Sequence, residues 1–155
     1  MTTELIFGER IGRTASIRLT VSGVLFDSQG RILLIRRADN GWWALPGGGM
    51  EPGERVVEAV VRELEEEIGV HVRPVNLFGI YSDPNVIISY DNGARKYHVV
   101  SIGFLCEPMY GQLSPGPEVL EIAYFDPEQL PENTAQTHIE RIRDAVAFGG
   151  SIFVR

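Results

Sequence analysis

Cysteine is almost absent from the 155-residue chain, and its single copy, Cys106, sits in the apolar run VVSIGFLCEP. One thiol closes no internal disulfide and builds no cysteine-rich metal site, so Cys106 reads as an inert core group. Positive charge is short as well: 14 Lys and Arg against 21 Asp and Glu give a formal net charge of -7. That balance argues against a nucleic-acid polymer or an anionic membrane as partner, while local basic residues can still hold a nucleotide. Long hydrophobic runs are missing, and the start MTTELIFGER has no basic stretch leading into an apolar one. A spanning helix needs about 18 or more apolar residues in a row, so a cytoplasmic protein without membrane contact is expected. The sequence also lacks internal repeats and low-complexity linkers. Its length suits one substantial core and is short for two, which predicts a single domain over residues 1–155.

What is present alternates between strand-like and helix-like patterns. SIRLTVSGVLFD, residues 16 to 27, is rich in β-branched residues, and DSQG reads as a turn into RILLIRR, which predicts a hairpin. The following RADNGWWALPGGGMEPGE is dense in glycine and proline and is expected to be a loop of special geometry. Residues 54 to 68 have helical spacing, closed by Gly69. VHVRPVNLFGIYS, KYHVVSIGFLCEPM and EIAYFD are strand-like, an Asn92-Gly93 turn separates the first two, and THIERIRDAVA, residues 137 to 147, supplies a second helix. A mixed β-sheet covered by helices, an α/β fold, is the packing solution for this order. Residues 1–15 exceed that framework and are expected to add an edge strand, either along their own sheet or across a homodimer.

The first helix carries an unusual load of acid. Projected at about 100° per residue, Val57, Val60, Val61, Leu64 and Ile68 cluster on one side, and Glu63, Glu66 and Glu67 fall on an adjoining arc. Like charges at such spacing repel unless something positive sits among them. No lysine is near, whereas a hard divalent cation suits several carboxylates. Gly47, Gly48 and Gly49, just before the helix, let a backbone carbonyl approach such a cation. A solvated acidic face is the plain alternative for the helix alone. With the glycine turn beside it, the pattern points to a Mg2+ or Mn2+ site that handles phosphates, without choosing the reaction. Arg62, off the apolar side, is expected to fork onto a neighbouring carboxylate and fix these ligands. Glu54, close to the helix start, is favoured there by exposed amides and serves either as loop support or directly at an active site.

GGMEPGERVVEAVVRELEEEIGV, residues 48 to 70, resembles the signature box of the Nudix hydrolases: Gly48, Glu54, Arg62, Glu63, Leu64, Glu66, Glu67, Gly69 and Val70 stand at that family's spacing. The resemblance implies a Nudix α/β/α sandwich in which the box forms a loop, helix and loop. It also implies an enzyme in which water attacks one phosphorus of a nucleoside diphosphate linked to another group, X. Carried over by the motif, Glu63, Glu66 and Glu67 are the metal-binding acids for Mg2+ or Mn2+, and the Gly48 carbonyl is a further ligand. Outside the box, Glu118 in SPGPEVLEIAYF resembles the acid on the family's loop leading into an aromatic-containing strand, which makes it the first choice for a general base. Glu121 is the runner-up, its place inside the strand favouring a structural or rim role.

Substrate recognition has thinner signals. Pro84 lies 14 residues beyond Val70, one residue from the spacing of the downstream proline in Nudix enzymes that act on ADP-ribose. Tyr81, Tyr90 and Tyr97 could stack a base or simply support strands, and Arg95 and Lys96 could pair with a phosphate or with X. These features favour ADP-ribose or a nucleotide sugar ahead of a nucleoside triphosphate. A non-catalytic nucleotide-binding regulatory domain, with Trp42, Trp43 and Phe153 as interface aromatics, is the competing class. It loses ground because every box acid is retained and no basic DNA-binding segment is appended. His71, His98 and His138 are too scattered for a zinc site; His98 reads as strand packing and His138 as the weakest of the three.

Overall fold

The third strand explains the architecture. Its ILLI run is apolar without alternation, the mark of a strand buried on both faces, and Ile32, Leu33, Leu34 and Ile35 are all buried. Successive strand side chains face opposite ways, so Leu33 and Ile35 join one core cluster while Ile32 and Leu34 join another. The first cluster is capped by the acidic helix through Val60, Leu64 and Ile68, the second by the C-terminal helix through Ile142 and Ala145. The result is an α/β/α sandwich.

Residues 2–155 are described by the computed structural model. In chain order they form β1 (Thr3–Phe7), β2 (Ser16–Val24), β3 (Ile32–Arg37), β4 (Trp43–Ala44), β5 (Gly47–Gly49), α1 (Val56–Ile68) and β6 (Val70–Tyr81). Then follow β7 (Val86–Tyr90), β8 (Arg95–Gly111), β9 (Val119–Phe125), α2 (Gln136–Ala147) and β10 (Phe153–Val154). The larger sheet has the order β1-β7-β8-β2-β5, with β6 on β8 and β10 on β6; the smaller is β4-β3-β9. Mixed character comes from the parallel pairs β2 with β8 and β6 with β10. No helix among the described residues is long and apolar enough to cross a membrane.

Several local expectations need correction. β2 and β3 do not run on as a hairpin: after a short paired base, where Leu33 N–H donates to Leu25 and Phe26 bridges Ile32, they enter different sheets. β3 is buried on both faces, whereas β2 opens one face to a cleft through Arg18 and Thr20, and separate sheets give each its own neighbours. The glycine-rich stretch is not all loop, because Gly47–Gly49 pairs antiparallel with β2 as β5. α1 begins at Val56 rather than Glu54, since the Glu58 carboxylate accepts the Arg55 N–H at 2.7 Å and Glu54 turns back to the Glu51 N–H at 2.8 Å. Val57 is 42% exposed, whereas Ala59 is fully buried. The helix is therefore rolled from the projected orientation, and the inward arc takes in Glu63 and Glu67. The N-terminal segment extends its own sheet, with β1 antiparallel to β7 and Thr3 opposite Tyr90.

Candidate active site

A cleft of about 700 Å³ opens between α1, β5, β2 and the start of α2. Glu63, Glu67 and Glu118 line one side, and Gly47, Gly48 and Gly49 form its floor. The floor must be glycine at Gly47, where an added Cβ would stand 2.0 Å from the Val21 carbonyl oxygen. Gly47 donates its N–H to Glu67 Oε1 at 2.5 Å. Burial, reinforced by the charges of Glu63 and Glu118, pushes the Glu67 carboxyl up to about 8. Glu63 is likewise raised, by burial first and then by Glu66 and Glu118, against the pull of Arg62.

Arg62 ties the outer part of this wall together. Its Nε donates to Glu54 at 2.5 Å, Nη1 to Glu63 at 2.9 Å, and Nη2 to the Gly49 carbonyl at 3.0 Å and Glu54 at 3.1 Å. Nη1 also reaches Glu66 at 3.4 Å. One guanidinium thus spans the helix, the glycine strand and the loop before the helix, which is the fork geometry that lysine lacks. Hydrogen bonding from Arg62 and from the Glu51 N–H holds Glu54 down at about 2. Glu54 is engaged with the arginine and does not line the cleft.

Glu118 reaches the cleft on a turn that is pinned to the end of α1. Ser114 N–H donates to the Ile68 carbonyl at 2.9 Å and Gly116 N–H to the Glu67 carbonyl at 3.0 Å. Side chains are excluded at Gly116, where a Cβ would sit 1.9 Å from the Glu66 carbonyl oxygen. Glu121, on β9, faces Arg36 across the sheet at 3.2 Å and does not line the cleft.

The same cleft also holds basic side chains. Arg18, Arg37, Arg95 and Arg141 all border the cleft. Arg18 lies over the rings of Tyr90 and Tyr97, at 5.8 and 5.2 Å, and those rings meet edge-on at 6.0 Å. Arg37 is forked onto Asp39 through Nε at 3.0 Å and Nη2 at 2.9 Å, and Arg95 pairs with Asp91 at 2.7 Å.

Of the residues expected to meet substrate, Arg95 lines the cleft, as does Tyr90, whereas Tyr97 does not and meets it only through the Arg18 guanidinium over its ring. Lys96, one residue out of phase along β8, does not line the cleft. Tyr81 lies in the core under α2, 6% exposed, with its hydroxyl donating to Asp144 at 2.9 Å; it borders only a smaller adjoining cavity. Trp43 is also buried, edge-on to Phe125, so it is not an exposed interface aromatic. His98 packs against the Ser82 carbonyl, and His71 stacks on Tyr110 beside Glu65. His138, ranked last from the sequence, lines the cleft and accepts the Leu45 N–H on Nδ1 at 3.1 Å.

Sequence reasoning missed Arg18, Arg37 and Arg141. Arg18, Thr20 and Ser22 line the cleft at the period-two spacing of one strand face, a signal that was available. Arg37 and Arg141 had none, because only tertiary packing brings β3 and α2 to the same wall.

The donor set fits a hard divalent cation. Carboxylate and carbonyl oxygens line the acid side, and Glu67 is surrounded by like charge that a cation would offset. Among the described residues no three acidic, histidine or cysteine groups close into a ready cage, and the Glu66 side chain is 59% exposed. Such an open site can engage a divalent ion through one or two carboxylates and leave positions for water and phosphate.

Comparison with known proteins agrees with this geometry. The model of the NUDIX domain matches residues 16–145. The chain is 40% identical over 129 residues to an ADP-ribose pyrophosphatase of Methanocaldococcus jannaschii, covering 81% of this chain and 71% of that one. It is 34% identical over 132 residues to a MutT-like protein of Streptomyces ambofaciens, covering 85% and 79%. The crystal structure of an ADP-ribose pyrophosphatase from Streptococcus suis superposes with a TM-score of 0.66 at 21% identity, covering 89% of this chain and 98% of that one, a likeness of fold.

Proposed function

Because the chain belongs to the NUDIX family, we propose that it is a metal-dependent pyrophosphohydrolase that splits the diphosphate linkage of a nucleoside diphosphate joined to X, with ADP-ribose or a nucleotide sugar preferred. The observation that carries this reading is the cleft itself, which brings Glu63, Glu67 and Glu118, the glycines Gly47, Gly48 and Gly49, and the arginines Arg18, Arg37 and Arg95 into one lining. A diphosphate needs both: cations around its non-bridging oxygens and carboxylates to organise metal and water.

Nudix hydrolases generally need a divalent metal, and Mg2+ or Mn2+ is proposed here. Glu63, Glu66, Glu67 and the Gly48 carbonyl would hold it. Bound there, such an ion supplies charge neutralisation at phosphoryl oxygens and a lower pKa for attacking water. The chain's own residues do the rest. Arg62 keeps Glu63 and Glu66 aligned while bracing Glu54 and the Gly49 carbonyl. Glu118 enters from outside the helix and is proposed to take the proton from water. Arg95 and Arg37 receive phosphate oxygens, and Tyr90 with Arg18 offers flat surfaces to a base.

The 40% identical archaeal relative is named for ADP-ribose, which supports that preference. The proposed setting is the cytoplasm, and the proposed assembly a homodimer joined through β1, the end strand of the larger sheet, which solution mass would test. For function, product analysis after incubation with ADP-ribose, sugar nucleotides, dinucleotides and nucleoside triphosphates distinguishes diphosphate cleavage from terminal phosphate release. Faster cleavage of ADP-ribose or a sugar nucleotide is expected. A folded, metal-bound protein inert to the whole panel would favour a binding module instead.

A further inference from the structure

Arg141 borders both the main cleft and an adjoining cavity of about 250 Å³, which share Thr137 in their lining. Its Nε is closed off from solvent without a hydrogen-bond partner, and among the described residues no carboxylate stands within ion-pair distance of it. Arg37 and Arg95, by contrast, are matched with Asp39 and Asp91. The Arg141 guanidinium lies 5.5 Å over the ring of Tyr81, whose hydroxyl is committed to Asp144. Burial draws Arg141 down to about 10, which leaves it protonated at neutral pH. Arg141 is half-buried, and its positive charge, held at the cleft wall with no carboxylate to match it, is a place where an incoming anion gains a charge-assisted hydrogen bond.

Two neighbours point the same way. His138 Nδ1 accepts the Leu45 N–H, so its proton resides on Nε2. Burial, together with the charges of Arg141 and Arg37, holds the ring neutral, and it offers a donor with no carboxylate attached. α2 has no acidic residue in its first turn, where Thr137 and His138 line the cleft, so the positive pole of a 12-residue helix is also uncompensated. The adjoining cavity takes Gln136, Thr137 and Arg141 of α2 into its lining and none of Glu63, Glu67 and Glu118, so the cleft continues at its α2 end away from those acids.

We propose that the α2 end of the cleft is an anion subsite, built from Arg141, His138 and Thr137, that takes a phosphate or carboxylate carried by X beyond the diphosphate being cleaved. What the anion is attached to rests on the hydrolase reading, but the subsite itself does not. It selects acidic X groups over neutral ones, with the adjoining cavity giving the group room.

The first test leaves hydrolysis out. Inorganic phosphate is titrated into the protein in excess chelator and followed by calorimetry, with melting curves as the check on folding. Wild type binds; Arg141→Met weakens binding by at least about tenfold, Arg141→Lys loses less, and Glu67→Gln binds at least as well as wild type. Should Arg141→Met fail to fold, the comparison of Arg141→Lys and Thr137→Val with wild type takes its place, each expected to bind more weakly. No phosphate binding by wild type, or equal binding by the folded α2 variants, overturns the proposal. The second test compares kcat/KM for UDP-glucuronate against UDP-glucose, and for ADP-ribose with and without a terminal phosphate. Whichever acidic member is favoured names the anion, and Arg141→Met should bring that ratio towards one. Indifference of wild type to both acidic groups overturns the selectivity, whereas failure of hydrolysis with intact phosphate binding sinks only the enzymatic reading.

Discussion

The two helices that flank the cleft treat charge in opposite ways. On α1 the acids at the rim are cross-linked: Arg62 binds Glu54, Glu63 and Glu66 at once, and only Glu67, further in, is left with a single backbone donor. On α2 the cation Arg141 is left without an acceptor, beside a neutral histidine. The difference teaches where each wall meets its counter-charge. The α1 wall is pre-assembled by its own arginine, and the mutual repulsion of Glu63, Glu67 and Glu118 is what a cation would offset. The α2 wall presents Arg141 and His138, which an anion would satisfy.

The sharpest way to break that contrast is at Glu67. Glu67→Gln is expected to lower kcat by roughly 10²- to 10⁴-fold, read by steady-state kinetics with saturating Mg2+. Stability should move the other way in metal-free protein. An acid whose folded pKa is raised costs stability above its unfolded pKa, so the cost begins near the ordinary glutamate value of 4.5 and grows until about 8. Melting temperatures of wild type and Glu67→Gln in chelator should coincide near the lower limit and separate as pH rises, the variant melting higher. Parallel curves across that window would contradict the burial account.

Glu118 and Glu121 test whether the turn or the strand supplies the base. Glu118→Gln is expected to cost on the order of 10² in kcat; Glu121→Gln, on the ion-paired rim, should change little. Loss confined to Glu121→Gln reverses the assignment. Arg62→Ala should weaken metal affinity by about 10- to 100-fold, since it removes an aligning group rather than a ligand. Unchanged metal affinity and rate would remove Arg62 from the account. An effect on stability before rate is expected at Gly116→Ala, which forces a Cβ against the Glu66 carbonyl; it should destabilise by about 1–3 kcal/mol and loosen the Glu118 turn.

These residues also mark what could be read before the fold was known. Glu63, Glu66 and Glu67 sit on one helix, so spacing alone groups them, and the box spacing ties them to Arg62 and Gly48. Val57 shows the limit: a projection fixes angles between residues but not the roll of the helix, which the packing of Ala59 and Leu64 decides. The β2–β3 hairpin shows another, since local strand signals do not say that the two strands take their neighbours in separate sheets. Arg37, His138 and Arg141 carry no shared periodicity, and only the docking of α2 beside β3 makes them one wall. Tyr81 was legible as an aromatic but not as the partner of Asp144, a contact between β6 and α2.

Both walls converge on one claim, that acids and arginines gathered about a glycine floor organise a metal-dependent attack on a diphosphate. Turnover of the best substrate from the panel should be followed against Mg2+ and Mn2+ concentration, in wild type and Glu67→Gln, with a chelator control. The account predicts saturable dependence on metal, complete loss in chelator, and a curve displaced to higher metal with a lowered plateau in the variant. Undiminished hydrolysis in excess chelator, or identical metal curves for the two proteins, would contradict it.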